Sequence, residues 1–313
     1  MSTAFVFPGQ GSQHIGMGKE LADNFAAARE VFEEVDDALE QKLSHLMWHG
    51  EAEDLTLTAN AQPALMAVSM AVVRTLGAEA GVKIGERAAF VAGHSLGEYS
   101  ALCASGVFSL GDSARLLKTR GEAMQQAVAV GEGAMAALLG LDYEGAGNVA
   151  REAAQGDICE IANDNAPGQV VISGHKQAID RAVEIAKEAG ARRAILLPVS
   201  APFHCSLMAP AAKVMREALA GVDIKPPLVP LIANISASAV TAPDDIAAGL
   251  VAQVTGRVRW RESVSLMAHD GVTRLYELGA GKVLTGLARR INRDLKAGAI
   301  GSPDDIETFM ADL

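Results

Sequence analysis

Short apolar runs recur along the chain and are separated by longer stretches whose apolar residues have helical spacing. The runs with the length of buried strands outside the middle of the chain lie at residues 3–7, 88–92, 229–233 and 273–277. The helical stretches in the first part of the chain lie at residues 21–46, 60–79, 96–105 and 111–130. Strands that alternate with helices in this way predict an α/β fold.

The order of predicted elements changes in the middle of the chain. Strand, helix, strand, strand, helix and strand are predicted at residues 134–139, 143–154, 158–162, 169–173, 176–189 and 194–199. This βαββαβ order is typical of ferredoxin-like domains, and a turn cluster at 163–168 is expected between the middle strands. We therefore predict a ferredoxin-like small domain at 127–198, inserted into a large α/β-hydrolase-like domain formed by 1–126 and 199–313.

After residue 199 the pattern again favours the larger domain. Helices are predicted at residues 206–220, 244–254, 263–270 and 282–294. The run at 273–277 is predicted to be the last strand, and the residues after about 292 are expected to be peripheral.

Composition and charge narrow the class of protein. Of 313 residues, 50% are hydrophobic and 21% are charged, as in globular proteins, and no apolar run approaches the roughly 18 residues of a membrane span. The net charge of −11 disfavours nucleic acid as a partner. Three cysteines without C-x-x-C favour the reducing cytoplasm, and the histidines lack a metal-binding spacing. We expect a cytoplasmic monomer with no metal site and no membrane partner.

A candidate nucleophile follows the second apolar run. Gly93-His94-Ser95-Leu96-Gly97 fits the pattern G-x-S-x-G between a predicted strand and a predicted helix. This pattern is typical of a sharp turn that lifts the serine oxygen above the sheet edge. Backbone N–H groups at the helix N-terminus would stabilise negative charge that develops on a carbonyl oxygen. Short Gly-Ser-Gly strings also arise by chance, but the flanking strand and helix favour a nucleophilic role for Ser95.

The base that a serine nucleophile needs is less clearly marked. His204 is the candidate base, and it follows a predicted strand and the stiff pair Pro202-Phe203. Because only a neutral imidazole can accept a proton, the reaction rate should fall as pH drops through the histidine pKa. The residues alone support an ordinary loop histidine equally well. No acid between Ser95 and His204 completes a triad, and His204 lies too early for an ordinary α/β-hydrolase. His94, beside the serine, should point elsewhere.

Several motifs together resemble the malonyl-CoA:acyl carrier protein transacylase family of fatty acid synthesis. They are FPGQGSQ at residues 7–13, GHSLGE at 93–98, NAPGQVVISG at 165–174, PFH at 202–204 and GAGKVL at 279–284. Each motif alone is moderately specific, but this set in this order is highly specific. The resemblance extends from residue 3 to about residue 292.

The resemblance implies a malonyl transfer in two displacement steps. Ser95 would attack malonyl-CoA with His204 as base, and the phosphopantetheine thiol of an acyl carrier protein would then take the malonyl group. The resemblance implies that the backbone carbonyl of Gln253 orients His204, in place of an acid. It also implies an oxyanion hole formed by the backbone N–H groups of Gln10 and Leu96. Coenzyme A enters as the thioester substrate, so no separate cofactor is expected.

The same resemblance assigns residues that select the acyl group. Arg120 matches the arginine that pairs with the malonyl carboxylate, and its planar two-donor fork suits that partner. Phe203 matches a bulky position that excludes an α-methyl branch, although some family members carry serine there. Gln62 and Asn165 match residues near the site, with a weaker basis. A solvated helix arginine is the ordinary alternative for Arg120.

Two other functional classes remain open from the residues. A serine esterase or thioesterase would share Ser95 and His204 but would deliver the acyl group to water, and it would have no use for a buried cation. A binding module would present acyl groups without any covalent step. Labelling with malonyl-CoA would distinguish these functions from a transacylase.

The densest basic run of the chain is a candidate docking surface for an acidic carrier protein. Arg289, Arg290 and Arg293 lie in the predicted helix 282–294, where Arg289 and Arg293 would share a face. A basic patch would offset the repulsion between two acidic proteins. A solvated helix face is the ordinary alternative.

Overall fold

The computed structural model describes residues 2–311, which form two β-sheets covered by helices. The strands are β1 (Ser2–Phe7), β2 (Phe90–Gly93), β3 (Gly133–Leu139), β4 (Cys159–Ala166), β5 (Gln169–His175), β6 (Arg193–Leu196), β7 (Leu231–Ile232), β8 (Ala239–Val240), β9 (Val272–Leu278) and β10 (Lys296–Ile300). The helices are α1 (Lys19–Asn24), α2 (Ala26–Leu39), α3 (Leu43–His49), α4 (Ala52–Thr56), α5 (Thr58–Ala80), α6 (Ile84–Arg87), α7 (Gly97–Ala104), α8 (Leu110–Gln126), α9 (Tyr143–Ala154), α10 (Lys176–Glu188), α11 (Ala209–Ala220), α12 (Pro243–Thr255), α13 (Trp260–His269), α14 (Val283–Ile291) and α15 (Pro303–Ala311). Met1, Asp312 and Leu313, which the predicted large domain includes, lie outside the described residues.

The larger sheet has the strand order β10-β9-β1-β2-β7-β8 and is parallel except for the β7–β8 pair. Its central strand β1 is buried on both faces, since Phe5 and Phe7 pack into one core cluster while Ala4 and Val6 pack into another. Both faces need apolar side chains, which explains the uninterrupted apolar run that marks this strand in the sequence. The fold is therefore a mixed α/β fold with helices on both faces of this sheet.

The smaller sheet is antiparallel and has the strand order β4-β5-β3-β6. The structure has the predicted βαββαβ order of elements in this region. Helices α9 and α10 bury Val149 and Ile179 against Leu138 and Ile172 of the sheet, in a core separate from those of the larger sheet. The central strands β3 and β5 are largely apolar rather than alternating, because Met135 and Val171 pack into a core cluster of the larger sheet while Leu138 and Ile172 pack against the two helices.

The hairpin between β4 and β5 departs from the predicted turn at 163–168. Strand β4 continues through Ala166, and the turn is limited to Pro167-Gly168. Polar residues remain in the strand because distant groups pair with them, as when Arg261 donates to the buried carboxylate of Asp164 at 2.7 Å. The prediction of a turn over the whole cluster was wrong because those partners lie far away in the chain.

The C-terminal residues of the described chain pair with and pack against the larger sheet more than predicted. The prediction that 273–277 is the last strand was wrong, because β10 follows and pairs with β9 at the edge of the larger sheet. The end is not peripheral, since α15 buries Ile306 and Phe309, and Phe309 packs edge-on against Tyr276 at 4.9 Å.

Three predicted helices are broken or shorter than expected, and one of them, predicted at 111–130, ends at Gln126. The stretch 21–46 is broken at Phe25, which is extended, and at Glu40, which has a left-handed φ of 50°. Helix α14 ends at Ile291 rather than at residue 294. Across residues 2–311, no helix combines the length and apolar character needed to cross a membrane.

Candidate active site

The G-x-S-x-G stretch forms a tight turn between β2 and α7, at the carboxyl edge of the larger sheet. Ser95 has a left-handed φ of 54°, a conformation that costs a non-glycine residue free energy. A Cβ at Gly93 would lie 1.9 Å from the carbonyl of Gly97, and a Cβ at Gly97 would lie 2.2 Å from the carbonyl oxygen of Phe7. Both flanking positions therefore require glycine, and the turn lifts Ser95 out of the sheet.

His204 is hydrogen-bonded to the serine. The Ser95 hydroxyl donates to His204 Nε2 at 2.7 Å. On the other side of the ring, Nδ1–H donates to the carbonyl oxygen of Gln253 at 2.9 Å and to that of Gly256 at 3.1 Å. These carbonyls leave Nε2 unprotonated, which is the form that can accept the serine proton. These are the hydrogen bonds that a serine nucleophile, a histidine base and a neutral orienting group require, and the three roles stay predictions.

The environment keeps His204 neutral. Burial lowers the pKa of His204 to about 3, and the positive charge of Arg120 adds to the effect, while the bonds to the two carbonyls oppose it. An ordinary histidine would become protonated near pH 6.5. The pH at which the reaction rate is expected to fall therefore lies well below the physiological range.

Arg120 lies beside the serine and is only 1% exposed. Its Nη1 donates to Gln62 Oε1 at 2.7 Å, and its Nη2 donates to Ser95 Oγ at 3.1 Å and to Gln253 Oε1 at 2.8 Å. The ring of Tyr99 lies 5.7 Å from the guanidinium carbon. Neutral groups hold this cation, and its Nε is buried with no hydrogen-bond partner within residues 2–311. A buried guanidinium with free donor capacity next to a nucleophile can pair with a carboxylate on the substrate.

The two amides predicted to form an oxyanion hole lie close to the turn. Leu96 follows Ser95 at the N-terminus of α7. The loop that carries Gln10 packs against the turn, since a Cβ at Gly9 would lie 2.7 Å from the carbonyl oxygen of His94. Within residues 2–311 neither amide donates a hydrogen bond to a protein group. Both N–H groups are therefore available to a ligand, and their role stays a prediction.

The remaining predicted site residues lie around this centre. Phe203 is buried and precedes the base. Asn165, at the end of β4, accepts a hydrogen bond from His94 Nε2 at 2.8 Å. Within residues 2–311, no hydrogen bond joins the His94 ring to the Ser95 hydroxyl, and burial lowers the pKa of His94. Asn165 therefore contacts the turn through His94 and not through Ser95.

Two residues of the site were missed by the sequence reasoning. Asn234 Oδ1 accepts from the Ser95 N–H at 2.7 Å, and its Nδ2 donates to the Gly93 carbonyl at 2.6 Å. Glu98 accepts from the backbone N–H of Asn234 at 3.0 Å and from Gln253 Nε2 at 2.9 Å. The signal for Asn234 is its position just after β7, since the carboxyl ends of parallel strands meet at one edge.

The basic helix lies apart from these contacts. Arg289 donates to a backbone carbonyl of β10 at 2.8 Å. Arg290 donates to the carbonyl of Pro167 at 3.1 Å and to the side chain of Gln169, so it ties α14 to the β4–β5 hairpin. Arg293 lies beyond the end of α14, so the prediction that it shares a helix face with Arg289 was wrong. All three arginines are exposed.

Comparisons with known proteins identify the family to which the chain belongs. Residues 4–289 match the family described as acyl transferase domain. The malonyl CoA-acyl carrier protein transacylase of Bacillus subtilis (strain 168) is 49% identical over 99% of this chain and 96% of its own length. That of Escherichia coli (strain K12) is 46% identical over 96% of each chain.

Solved structures resemble the whole chain. The acyl-carrier-protein-S-malonyltransferase of Bartonella henselae is 58% identical, with a TM-score of 0.97 over 99% of each chain. A malonyl-transacylase solved in complex with its type II polyketide synthase acyl-carrier protein is 42% identical, with a TM-score of 0.96 over 100% of each chain. The chain therefore belongs to the acyl transferase family and, within it, to the malonyl CoA-acyl carrier protein transacylases.

Proposed function

We propose that the chain transfers a malonyl group from malonyl-CoA to the phosphopantetheine thiol of an acyl carrier protein, through a malonyl-serine intermediate at Ser95. The observation that carries the proposal is the buried Arg120, whose Nη2 lies 3.1 Å from Ser95 Oγ. A single methylene separates the two carboxyl carbons of malonate. An acyl group held at Ser95 would therefore bring its free carboxylate within reach of this guanidinium.

In the first step, Ser95 Oγ forms a bond to the thioester carbon while its proton moves to His204 Nε2. The carbonyl oxygen gains negative charge, for which the N–H groups of Gln10 and Leu96 supply donors. The tetrahedral intermediate then collapses as the carbon–sulfur bond breaks. Coenzyme A leaves as a thiol, because His204 returns the proton to the sulfur.

The second step reverses the first with a different thiol. The phosphopantetheine thiol of the carrier gives its proton to His204 and attacks the serine ester. The ester bond breaks, His204 returns the proton to Ser95 Oγ, and the carrier leaves as a malonyl thioester. Coenzyme A takes part as the substrate thioester, and these steps use no separate cofactor.

Selectivity for malonyl follows from charge and shape. The malonyl carboxylate would be costly to bury unpaired, and Arg120, held by Gln62 and Gln253, supplies its counter-charge. An acetyl group gains nothing from this cation. Phe203, buried beside the base, would leave no space for an α-methyl branch.

An acidic carrier protein would dock against the basic end of α14. The relative solved with its acyl-carrier protein supports such a partner, and Arg289, Arg290 and Arg293 are exposed near one another in sequence. Arg289→Glu with Arg293→Glu should raise KM for the carrier and leave transfer to free pantetheine unchanged, because charge steering acts on the protein acceptor only. Arg290 is left in place because it holds the hairpin. Equal losses with both acceptors would remove this surface from docking.

The two sheets suggest a two-domain description. We propose that residues 127–198 form a ferredoxin-like domain, since β3 to β6 have the βαββαβ order and their own core. Residues 1–126 and 199–313 would form the large domain, whose strand–turn–helix around Ser95 is α/β-hydrolase-like. Asn165 of the small sheet would then contribute to a site built mainly by the large domain.

The fate of the bound acyl group tests the proposed function. The protein is mixed with malonyl-CoA, and the mass of the intact protein is followed before and after addition of a holo acyl carrier protein. A transacylase holds one malonyl group until the thiol arrives and then passes it on. Rapid release of malonate to water would indicate a thioesterase, and no gain of covalent mass would indicate a binding module.

A further inference from the structure

Glu98 is a buried carboxyl group that takes no direct part in the proposed bond-making and proton-transfer steps. It lies in the first turn of α7 and is 1% exposed. Its Oε2 accepts hydrogen bonds from the backbone N–H of Asn234 and from Gln253 Nε2. Burial raises the pKa of Glu98 to about 7, against the opposing effect of these bonds and of the Arg120 charge. A carboxyl group is costly to bury among neutral partners.

Glu98 and the Ser95 carbonyl together determine which way the side-chain amide of Gln253 points. The amide nitrogen donates to Glu98 Oε2 at 2.9 Å and to the Ser95 carbonyl at 3.0 Å. Both partners are acceptors, so this end of the amide must be the donor. The amide oxygen therefore points the other way, where it accepts from Arg120 Nη2 at 2.8 Å.

The same carboxyl group also holds the residue that supports the serine turn. Glu98 binds the backbone N–H of Asn234. The Asn234 side chain in turn bonds the backbone on both sides of the turn, at Gly93 and Ser95. A change at Glu98 can therefore act in two ways. Through Asn234 it can disturb Ser95, which would slow the transfer of every acyl group. Through Gln253 it can disturb the Arg120 guanidinium, which would slow malonyl transfer alone.

We propose that Glu98 is a positioning residue for acyl-group selection, which keeps the Gln253 amide oxygen towards Arg120 and so holds the guanidinium beside Ser95. This inference rests on the proposed malonyl transfer. With glutamine at position 98, the carboxylate acceptor becomes an amide that can also donate. The Gln253 amide nitrogen then loses its charged acceptor and is held by the Ser95 carbonyl alone, so the amide oxygen that accepts from Arg120 is fixed less firmly.

The test compares Glu98→Gln with wild type in transfer from malonyl-CoA and from acetyl-CoA, with free pantetheine as acceptor. The ratio of the two kcat/KM values cancels any damage to the serine turn. We expect this ratio to fall by about tenfold, which is the effect of losing one hydrogen bond to a charged group. The malonyl loss should appear mainly as a higher KM, since the carboxylate is bound in both ground state and transition state.

Glu277 provides a matched control. It is also a fully buried glutamate, and it accepts from the N–H groups of Leu284 and Thr285 at the start of α14. Glu277→Gln should lower the melting temperature without changing the malonyl-to-acetyl ratio. A second variant, Gln253→Ala, keeps the backbone carbonyl that orients His204 but removes the amide, so it should lower the ratio as Glu98→Gln does.

The outcomes separate this inference from the proposed function. A folded Glu98→Gln variant with the wild-type ratio would overturn it, because a merely structural carboxyl would affect both substrates equally. If Glu98→Gln does not fold, an unchanged ratio in Gln253→Ala would overturn it instead. A wild-type protein that transfers no malonyl group would refute the proposed function itself.

Discussion

Two turns of the larger sheet have the same construction and opposite uses. Strands β2 and β9 flank β1, run parallel to it and end at the same edge. Each continues through a glycine-containing turn into a helix, the Ser95 turn (residues 93–97) into α7 and the Gly279 turn (residues 279–282) into α14. Each region also contains one buried glutamate, Glu98 or Glu277.

The glutamate of the Gly279 turn closes the N-terminus of its helix. Glu277 accepts from Leu284 N at 3.1 Å, from Thr285 N at 2.8 Å and from Thr285 Oγ1 at 2.8 Å. The first N–H groups of a helix have no partner within the helix and attract negative charge. Here the chain itself supplies that charge, so the helix end is a structural cap.

The glutamate of the Ser95 turn leaves its helix N-terminus open. Glu98 lies within the helix and faces Asn234 and Gln253, and within the described residues 2–311 the Leu96 N–H donates to no protein group. The N–H groups of Gly97 and Glu98 donate to the carbonyl oxygens of His94 and Ser95, so at this helix end it is the Leu96 N–H that remains available to a substrate oxygen. Glu277 therefore caps α14, whereas Glu98 binds Asn234 and Gln253 and leaves the Leu96 N–H without a protein partner within residues 2–311.

The largest expected effect is that of removing His204, the base we propose for Ser95. His204→Ala should slow acylation by malonyl-CoA by a factor on the order of 10² to 10⁴, since the serine proton would lose its acceptor. Single-turnover acylation measures this directly. His45→Ala, at an exposed histidine, should react at the wild-type rate. A His204→Ala variant as fast as wild type would remove the base from the mechanism.

Removal of the cation beside the Ser95 turn should alter selectivity. Arg120→Ala should lower malonyl relative to acetyl transfer by about a hundredfold, because a buried unpaired carboxylate costs several kcal/mol. Arg120→Lys should restore little, since the two-donor fork is lost. Arg115→Ala, on the exposed face of the same helix, is the control. Equal losses for both acyl groups would make Arg120 a structural residue.

Acid stability tests the neutral state of His204. The pKa of this residue is about 3 in the folded protein and 6.5 in the unfolded chain. Between these two pH values the unfolded chain binds a proton at His204 and the folded protein does not. Its stabilising contribution is present above pH 6.5 and is lost as pH falls. Between about pH 7.5 and about pH 5, wild type should lose about 2 kcal/mol more than His204→Ala. Equal acid losses in denaturant titrations would contradict this shift.

The smallest effect concerns the closed turn. Glu277→Gln should cost about 1 kcal/mol of unfolding free energy, because the amide oxygen keeps part of the cap but loses the charge. Acylation should be unchanged. A slower acylation at unchanged stability would mean that Glu277 serves the reaction rather than the helix cap, which would contradict the comparison of the two turns.

The sequence predicted the elements whose signals are local. Apolar runs marked β1 and β2, and the glycine spacing marked the Ser95 turn, because steric limits at Gly93 and Gly97 act within a few residues. The residues left the role of His204 open. Arg120, Gln253 and Gln10 came from the family resemblance, since nothing local distinguishes them from ordinary polar residues.

The features that were missed depend on partners far away in the chain. Strand β10 is short and contains glycine, and it exists because β9 offers a free edge. The polar end of β4 is stable because Arg261 pairs with Asp164. Glu98 resembles any acid in a first helical turn until Gln253 is brought against it. Tertiary pairing, which local pattern does not encode, accounts for all three.

The most direct measurement locates the malonyl group. Wild-type protein is loaded with malonyl-CoA, digested and examined by tandem mass spectrometry, beside Ser95→Ala and the control Ser100→Ala in the same helix. Alanine keeps the Cβ at the strained turn, so Ser95→Ala should fold as wild type does. We expect one malonyl group on Ser95 in wild type and in Ser100→Ala, and none in Ser95→Ala. A malonyl group on another residue, or labelling of Ser95→Ala, would contradict this expectation.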